Sequence, residues 1–419
     1  LRSVAFGKNA SGAQLTASDT VAIGDQALLN GTGANNVAVG SSALKANTSG
    51  TPNVGVGTSA LAANTTGANN VAIGHQALGF ATASGSNVAI GKSALGNSLA
   101  TTPGANNVAI GTNAMGSNSA TGDNNTMVGD SAGAGMTGGI RNVMVGSQSG
   151  GQSSGDHNVG VGYGALASQG ASSAATAVGY KALFNNTVAN NVAVGWQALL
   201  ANTTGTAITA VGASALTAHT TGFRNTAVGF QALMASTGAV VDNVAIGDKA
   251  LKAATNSSSN TAVGSSALAG ITTGEHNTAV GNSAMGYSGI TGAGNCVAVG
   301  ELAGNSFRNS NLTAIGVNAG NTDGTTATVI AIDTSTCIGY NAQAVVSNVC
   351  VIGSKIAAQR QSLCIGNYGE VGSGKGLISL SDAATVPTTN AVGGGLLYSE
   401  AGALKWRGSS GTVTVLGAA

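Results

Sequence analysis

A short pattern, V-x-V/I-G, recurs along most of this chain. It closes first on Gly7 and last on Gly366, in twenty-two copies mostly sixteen to eighteen residues apart. Self-similarity at a short fixed period is the signature of a solenoid or array, and it outranks any local reading of the sequence. The period is too short for repeats made of helix pairs. The β-branched content at its centre predicts a strand.

Within each copy the residue before the glycine is Val or Ile in twenty-one cases, and two residues earlier stands mostly Val or Thr. Side chains alternate along a strand, so these two share one face and the residue between them takes the other. That middle residue is Ala in fifteen copies and is never polar. A strand apolar on both faces is expected to be covered on both. Bulk suggests that the Val/Ile face fills the inside of the coil. The Ala face is then left to meet a neighbouring chain, with Ala38, Ala72, Ala193, Ala227 and Ala262 as the expected packing row. A homo-oligomer becomes part of the fold.

The closing glycine suits a corner, where φ > 0 carries no steric penalty. Asn precedes the strand in thirteen copies, among them Asn36, Asn53, Asn70, Asn191, Asn225 and Asn277. Stacked once per turn, these amides can bond along the coil as a ladder. They can equally be turn residues that tolerate the left-handed region. After the glycine comes x-x-A-L, where adjacent Ala and Leu do not alternate, so a tight turn or irregular strand is expected. N-T-T-G-like stretches such as 64–67 and 202–205 read as the outer loop. At about 4.8 Å per stacked strand, such a repeat predicts a rod of roughly 105 Å.

Composition agrees. Only 7% of residues are charged and 3% are aromatic, while Gly numbers 67 of 419. A net charge of +1 with scattered basic residues lacks the footprint of a nucleic-acid binder, and no apolar run approaches a membrane helix. The four cysteines, Cys296, Cys337, Cys350 and Cys364, form no C-x-x-C pair. They read first as small buried apolar residues, with an inter-chain disulfide left open. The chain opens inside a copy of the repeat, V-A-F-G, so further sequence is expected upstream.

N-N-V-A-I-G and its variants resemble the head repeats of trimeric autotransporter adhesins, over residues 1–366. The resemblance implies a left-handed parallel β-roll and three chains about one axis. The copies here are longer than that family's usual turn, and neither a heptad stalk nor an anchor barrel is visible. The stretch 391–417, with its hairpin-like L-L-Y-S-E-A-G-A-L-K-W, is instead similar to the ends of bacteriophage virion fibre proteins. That likeness implies a small β cap over residues 367–419, closing the open edge that a solenoid leaves.

Site candidates are few. The position after the corner glycine varies freely, which suggests solvent. In five consecutive copies it reads Tyr163, Tyr180, Trp196, Ala213, Phe230. Exposed aromatics offer flat apolar faces suited to sugars or a protein partner, and the same row could instead be a stacking ladder that stiffens the coil. Residues 369–376, G-E-V-G-S-G-K-G, nearly match a phosphate loop, but Gly376 stands where a hydroxyl is needed. The pairs Asp19/Asp25, Asp123/Asp130 and Asp242/Asp248 lie about 20 Å apart along an extended strand, too far for paired-carboxylate hydrolysis. His75, His157, His219 and His276 are turns apart. Neither a catalytic site nor a metal or cofactor is expected. Ice binding ranks below adhesion, because the Thr pairs sit in loops.

The expectation is an all-β, homotrimeric parallel solenoid of about twenty-two turns with a C-terminal cap, acting as an extracellular fibre. A phage tail fibre or similar virion appendage that joins virion or tail proteins to a host-cell glycan or protein comes first. A bacterial surface adhesin head comes second and a purely structural shaft third. Neither nucleic-acid binding nor membrane insertion is expected.

Overall fold

The computed structural model describes residues 2–12, 18–96, 104–116, 121–152, 154–168, 170, 172–287, 292–305, 310–321, 334–343, 349–356, 359–366, 377–380, 396–400, 403–407 and 412–417. The described secondary structure is all β, with no helix, and it forms a parallel β-solenoid of about eighteen turns. Two compact units divide the chain, Leu1–Val241 and Asp242–Ala419.

In the first unit each V-x-V/I segment is a strand of three or four residues, from Val4–Phe6 to Thr226–Val228. Each pairs in parallel with the next in strict register, as in Val192↔Thr209, Ala193↔Ala210 and Val194↔Val211. In the second unit the same ladder runs from Val244–Ile246 to Thr336–Ile338 and on to Cys350–Ile352.

The two faces of the strand are the reverse of the bulk-based expectation. Ala38, Ala72, Ala193, Ala227 and Ala262 are fully buried inside their own coil, so this row does not meet another chain. The flanking Val, Ile and Thr residues point outward and are half-buried or exposed. The reason lies in the opposite wall of the coil. Ser42 and Leu44 both adopt positive φ, 58° and 50°. These left-handed residues flank Ala43 and turn the chain back, so that Ala43 and Leu44 are both buried. Bulky residues rarely enter this region, yet Leu28, Leu44, Leu61 and Leu78 all do so here, at φ of 48–53°. With a leucine from this wall filling the narrow interior, the strand has room for only a methyl. A Cβ built on Gly55, which stands in the Ala position, would lie 3.3 Å from Leu44 Cγ.

Each corner glycine is required twice over. From Gly7 to Gly339 the closing glycines have φ between 124° and 137°, a region that side-chain-bearing residues rarely enter. A Cβ on Gly195 would also lie 2.5 Å from the carbonyl oxygen of Gly212 in the next coil.

Both readings of the asparagines hold, but on different residues. The first of each pair, such as Asn35 or Asn69, takes positive φ at 59° or 62°. The second is buried and forms the ladder. The backbone N–H of Asn53 donates to Asn36 Oδ1 at 2.8 Å, that of Asn70 to Asn53 Oδ1 at 3.0 Å, and that of Asn87 to Asn70 Oδ1 at 3.1 Å. Each amide nitrogen then ties down the outer loop, as Asn53 Nδ2 does by donating to Gly67 O at 2.8 Å. In the second unit the ladder runs Asn243, Asn260, Asn277 and ends at Cys296, whose N–H donates to Asn277 Oδ1 at 3.1 Å. Cys296 and Cys337 are buried in line with the sequence reading, and Cys350 is partly exposed.

Parallel coiling does not continue to Gly366. Strand Val349–Ile356 pairs antiparallel with Gln359–Gly366, which pairs antiparallel with Leu377–Leu380. The last two copies of the repeat are therefore arms of a meander, and the solenoid falls short of twenty-two turns. Leu396–Glu400, Ala403–Arg407 and Val413–Gly417 form a separate three-stranded antiparallel sheet that includes the hairpin read from the sequence.

Candidate functional site

Four aromatics of the first unit stand on the outside of the coil, at the position after the corner glycine. Backbone bonds between coils keep that column in register: Lys181 N–H donates to Tyr163 O, Gln197 N–H to Tyr180 O, Ser214 N–H to Trp196 O, and Gln231 N–H to Ala213 O, at 2.8–2.9 Å. Tyr163, Tyr180, Trp196 and Phe230 expose 43%, 40%, 50% and 48% of their surfaces. Of the row expected from the sequence, Tyr163, Tyr180 and Trp196 lie in consecutive coils, and Phe230 stands in the same column beyond Ala213.

The rings also contact one another. Tyr163 and Tyr180 stack with centroids 5.5 Å apart, Tyr180 and Trp196 with centroids 6.2 Å apart, and both pairs are within 12° of parallel. Those separations lie in the favourable range for offset stacking. Lys181 Nζ lies 5.4 Å from the centroid of Tyr180 and 5.3 Å from that of Phe184, close enough for cation–π attraction. Tyr163 Oη donates to Gln148 Oε1 at 3.2 Å. The row is thus a stacked ladder and an exposed surface at once. Inside the stack, rings offer solvent their edges.

A larger apolar surface was missed in the sequence because the faces were read in reverse. Two outward β-branched side chains per strand form a strip along each unit, with Ile73, Val143, Val145, Val178, Val280 and Ile315 each more than a third exposed. The strip carries no charged residue on the strands from Val21–Ile23 to Thr336–Ile338. In the first unit, fourteen strands at about 4.8 Å make it roughly 60 Å long. Monomeric proteins rarely expose an apolar patch of more than a few hundred Å². Tyr340, 58% exposed, and Val317 occupy in the second unit the column position of the aromatic row.

Two of the carboxylates serve the backbone. Asp123 Oδ1 accepts from Ala105 N–H at 2.7 Å, and Asp156 Oδ1 accepts from Ile140 N–H at 2.9 Å. Loop threonines do the same from the donor side, with Thr48 Oγ1 bonding Thr65 O at 2.9 Å and Thr65 Oγ1 bonding Thr82 O at 2.8 Å. Among the described residues no group of three His, Cys, Asp or Glu side chains could hold a metal ion, and no helix is long and apolar enough to cross a membrane. The phosphate-loop-like segment 369–376 lies outside the described residues.

Comparison of the chain with family models, with curated proteins and with solved structures gives no match.

Proposed function

We propose that the chain is a non-enzymatic fibre that assembles as a homotrimer and engages a cell surface, as a phage tail fibre or similar virion appendage would outside the cell. The observation that carries this reading is the exposed aromatic row on a coil that is otherwise closed around Ala and Leu. In such a fibre the left-handed β-roll supplies stiffness through its stacked backbone bonds. The C-terminal sheet covers an open end. Virion or tail proteins hold the other end, and a host-cell glycan or protein is the target. Three identical chains repeat each patch three times, so modest contacts sum where geometry lets several engage.

Three chains meet, in this reading, on the outward Val/Thr and Val/Ile face and not on the alanines. That strip supplies the apolar covering that a standard interface of about 800 Å² per partner requires. A purely structural shaft is the second reading. Its support is the mutual stacking of Tyr163, Tyr180 and Trp196, whose rings satisfy one another without any ligand. A bacterial surface adhesin head stays an alternative on the repeat's resemblance alone.

The test is binding of the wild-type protein, and of a Tyr180→Ala/Trp196→Ala variant, to a panel of bacterial cells and to a glycan array. The adhesive reading expects binding that the variant loses at least tenfold while keeping its assembly state. Equal binding by both proteins removes the aromatic row as the adhesive surface, and no binding by either leaves the shaft.

A further inference from the structure

Between His157 and Val241 the sequence contains no Asp or Glu, although the chain has 14 of them, and its Lys and Arg residues there are Lys181 and Arg224. A coil of a solenoid touches only its neighbours, so a carboxylate remote in sequence is remote in space as well. The nearest before Lys181 is Asp156. It precedes strand Val159–Val161, whereas Lys181 follows strand Thr176–Val178, and its Oδ1 accepts from the Ile140 N–H at 2.9 Å. Among the described residues, Lys181 Nζ has no ion pair and no hydrogen bond. Two rings hold that ammonium instead, with the centroid of Tyr180 at 5.4 Å and that of Phe184 at 5.3 Å. A Cβ on Gly164, in the preceding coil, would lie 3.4 Å from Lys181 Cγ and 3.4 Å from Phe184 Cε2, so stem and ring close over a glycine. A flexible cation is fixed beside the aromatic row before any ligand arrives, which lowers the ordering cost of binding.

We propose that Lys181, with the exposed edges of Tyr180 and Trp196, binds the carboxylate of an acidic sugar, a uronic or sialic acid residue of a surface glycan. The proposal rests on the adhesive reading of the row and names its ligand class. Stacking within 12° of parallel turns the edges of these rings outward, and the edge of an aromatic ring is its positive part. Edges therefore favour an anionic oxygen over a flat apolar face. Tyr180 Oη and Trp196 Nε1 take part in no hydrogen bond among the described residues, and each can donate to such an oxygen. Gln197, one residue beyond Trp196 as Lys181 is one beyond Tyr180, carries an amide able to meet a sugar hydroxyl. With no carboxylate in the surrounding coils, nothing in the chain competes with the ligand for the ammonium. One ammonium matches the single charge of a sugar acid. A phosphate monoester carries about two charges and is met by clustered guanidinium groups, which are absent from residues 163–197.

Removing the charge from either side separates this proposal from binding by the row as a whole. Oligosaccharides of galacturonate, glucuronate, mannuronate and N-acetylneuraminate are titrated calorimetrically against the wild-type protein, each beside its methyl ester, with inorganic phosphate and dextran sulfate as other anions. At least one sugar acid is expected to bind, and its ester to bind at least about tenfold more weakly, as loss of a charged hydrogen bond implies. Lys181→Gln is expected to lose a similar factor, while Lys181→Arg, which keeps both the charge and the contact with the rings, restores binding. Affinity for the acid is expected to fall as salt is added. No binding of any of the four acids, equal binding of acid and ester, a response to phosphate or dextran sulfate in their place, or binding that Lys181→Gln leaves intact overturns the proposal. If Lys181→Gln still binds cells that the Tyr180→Ala/Trp196→Ala variant does not, the acidic-sugar site is wrong and the adhesive reading of the row stands. Undiminished cell binding by both variants removes the row and this proposal with it.

Discussion

Met127 and Gly133 share one space inside their coil. A Cβ on Gly133 would lie 2.8 Å from Met127 Sδ. Met127 takes the strand position that is usually Ala, and Gly133 takes the opposite position that is usually Leu. Met144 and Gly150 repeat the exchange, with a Cβ on Gly150 falling 2.6 Å from Met144 Cγ. Bulk has moved from one wall to the other at nearly constant volume, with one side-chain heavy atom fewer, a kind of swap that cores tolerate well. The exchange ties the small strand residue to the coil interior.

Met127→Ala is therefore expected to empty the coil and to destabilise the protein by about 2–5 kcal/mol, the usual cost of such a truncation. Adding Gly133→Leu restores the commoner pairing and is expected to recover most of the loss, since Leu44 and Leu61 already occupy this position at φ near 50°. Denaturant unfolding of the two variants and the wild type checks this. No recovery in the double variant would place the two residues out of contact.

The Asn ladder gives a second expectation. Asn70 Nδ2 donates to Ser84 O at 2.9 Å and to Asn53 Oδ1 at 3.1 Å, and its Oδ1 accepts from the Asn87 N–H at 3.1 Å. Asn70→Leu leaves buried partners without a bond, at about 1–3 kcal/mol each. A lowered unfolding midpoint is expected, together with faster amide exchange at Asn87. Unchanged exchange there would show that the ladder carries no stability.

How much of this is legible in the sequence depends on what each residue is asked to decide. The corner glycines, the paired asparagines and the aromatic column announce themselves through backbone geometry, which a single residue type can reveal. Which face of V-A-V points inward does not. Ala193 and its two valine neighbours are all apolar, so hydrophobicity is silent and only volume decides. That volume is set by Leu199, a residue whose φ of 53° no strand pattern predicts. The signal lay in the Met127/Gly133 and Met144/Gly150 exchanges, since residues that trade bulk must touch. The switch to antiparallel pairing after Val349–Ile356 leaves V-I-G and C-I-G looking like two more coils.

His219 gives the fold a dependence on pH. It replaces Asn202 in the column of the next coil, and its Nε2 lies 3.1 Å from Gly222 O and its Nδ1 2.7 Å from Ser236 Oγ. A neutral ring with the proton on Nε2 satisfies both. Burial lowers its pKa from the ordinary 6.5, and the bond to Gly222 opposes this only partly. Between the lowered value and 6.5 the unfolded chain binds more protons than the folded one, so stability rises with pH in that window. It is complete above about pH 6.5 and is lost as pH falls through the folded-state value. The His219→Asn variant is expected to flatten this part of a thermal-stability profile. A profile identical to that of the wild type would remove His219 as its source.

Outward-facing Ile73 and Val178 make contrary demands on one chain and on an assembly. Ile73→Asp and Val178→Asp place charge on a surface that is open in a single coil, so the circular dichroism of the β-solenoid is expected to survive. Between chains the same carboxylates would be buried without partners, a change costly enough to disrupt assembly. Loss of the β signal along with assembly would place these residues inside the coil.

The most direct measurement is the mass of the wild-type protein in solution, by sedimentation equilibrium, beside that of the Ile73→Asp/Val178→Asp variant. One chain is 39.8 kDa. A trimer on the β-branched face requires about three times that mass for the wild type and a shift toward the single chain for the variant. A wild-type protein that sediments as a single chain at micromolar concentration, or a variant that stays trimeric, would contradict assembly through this face.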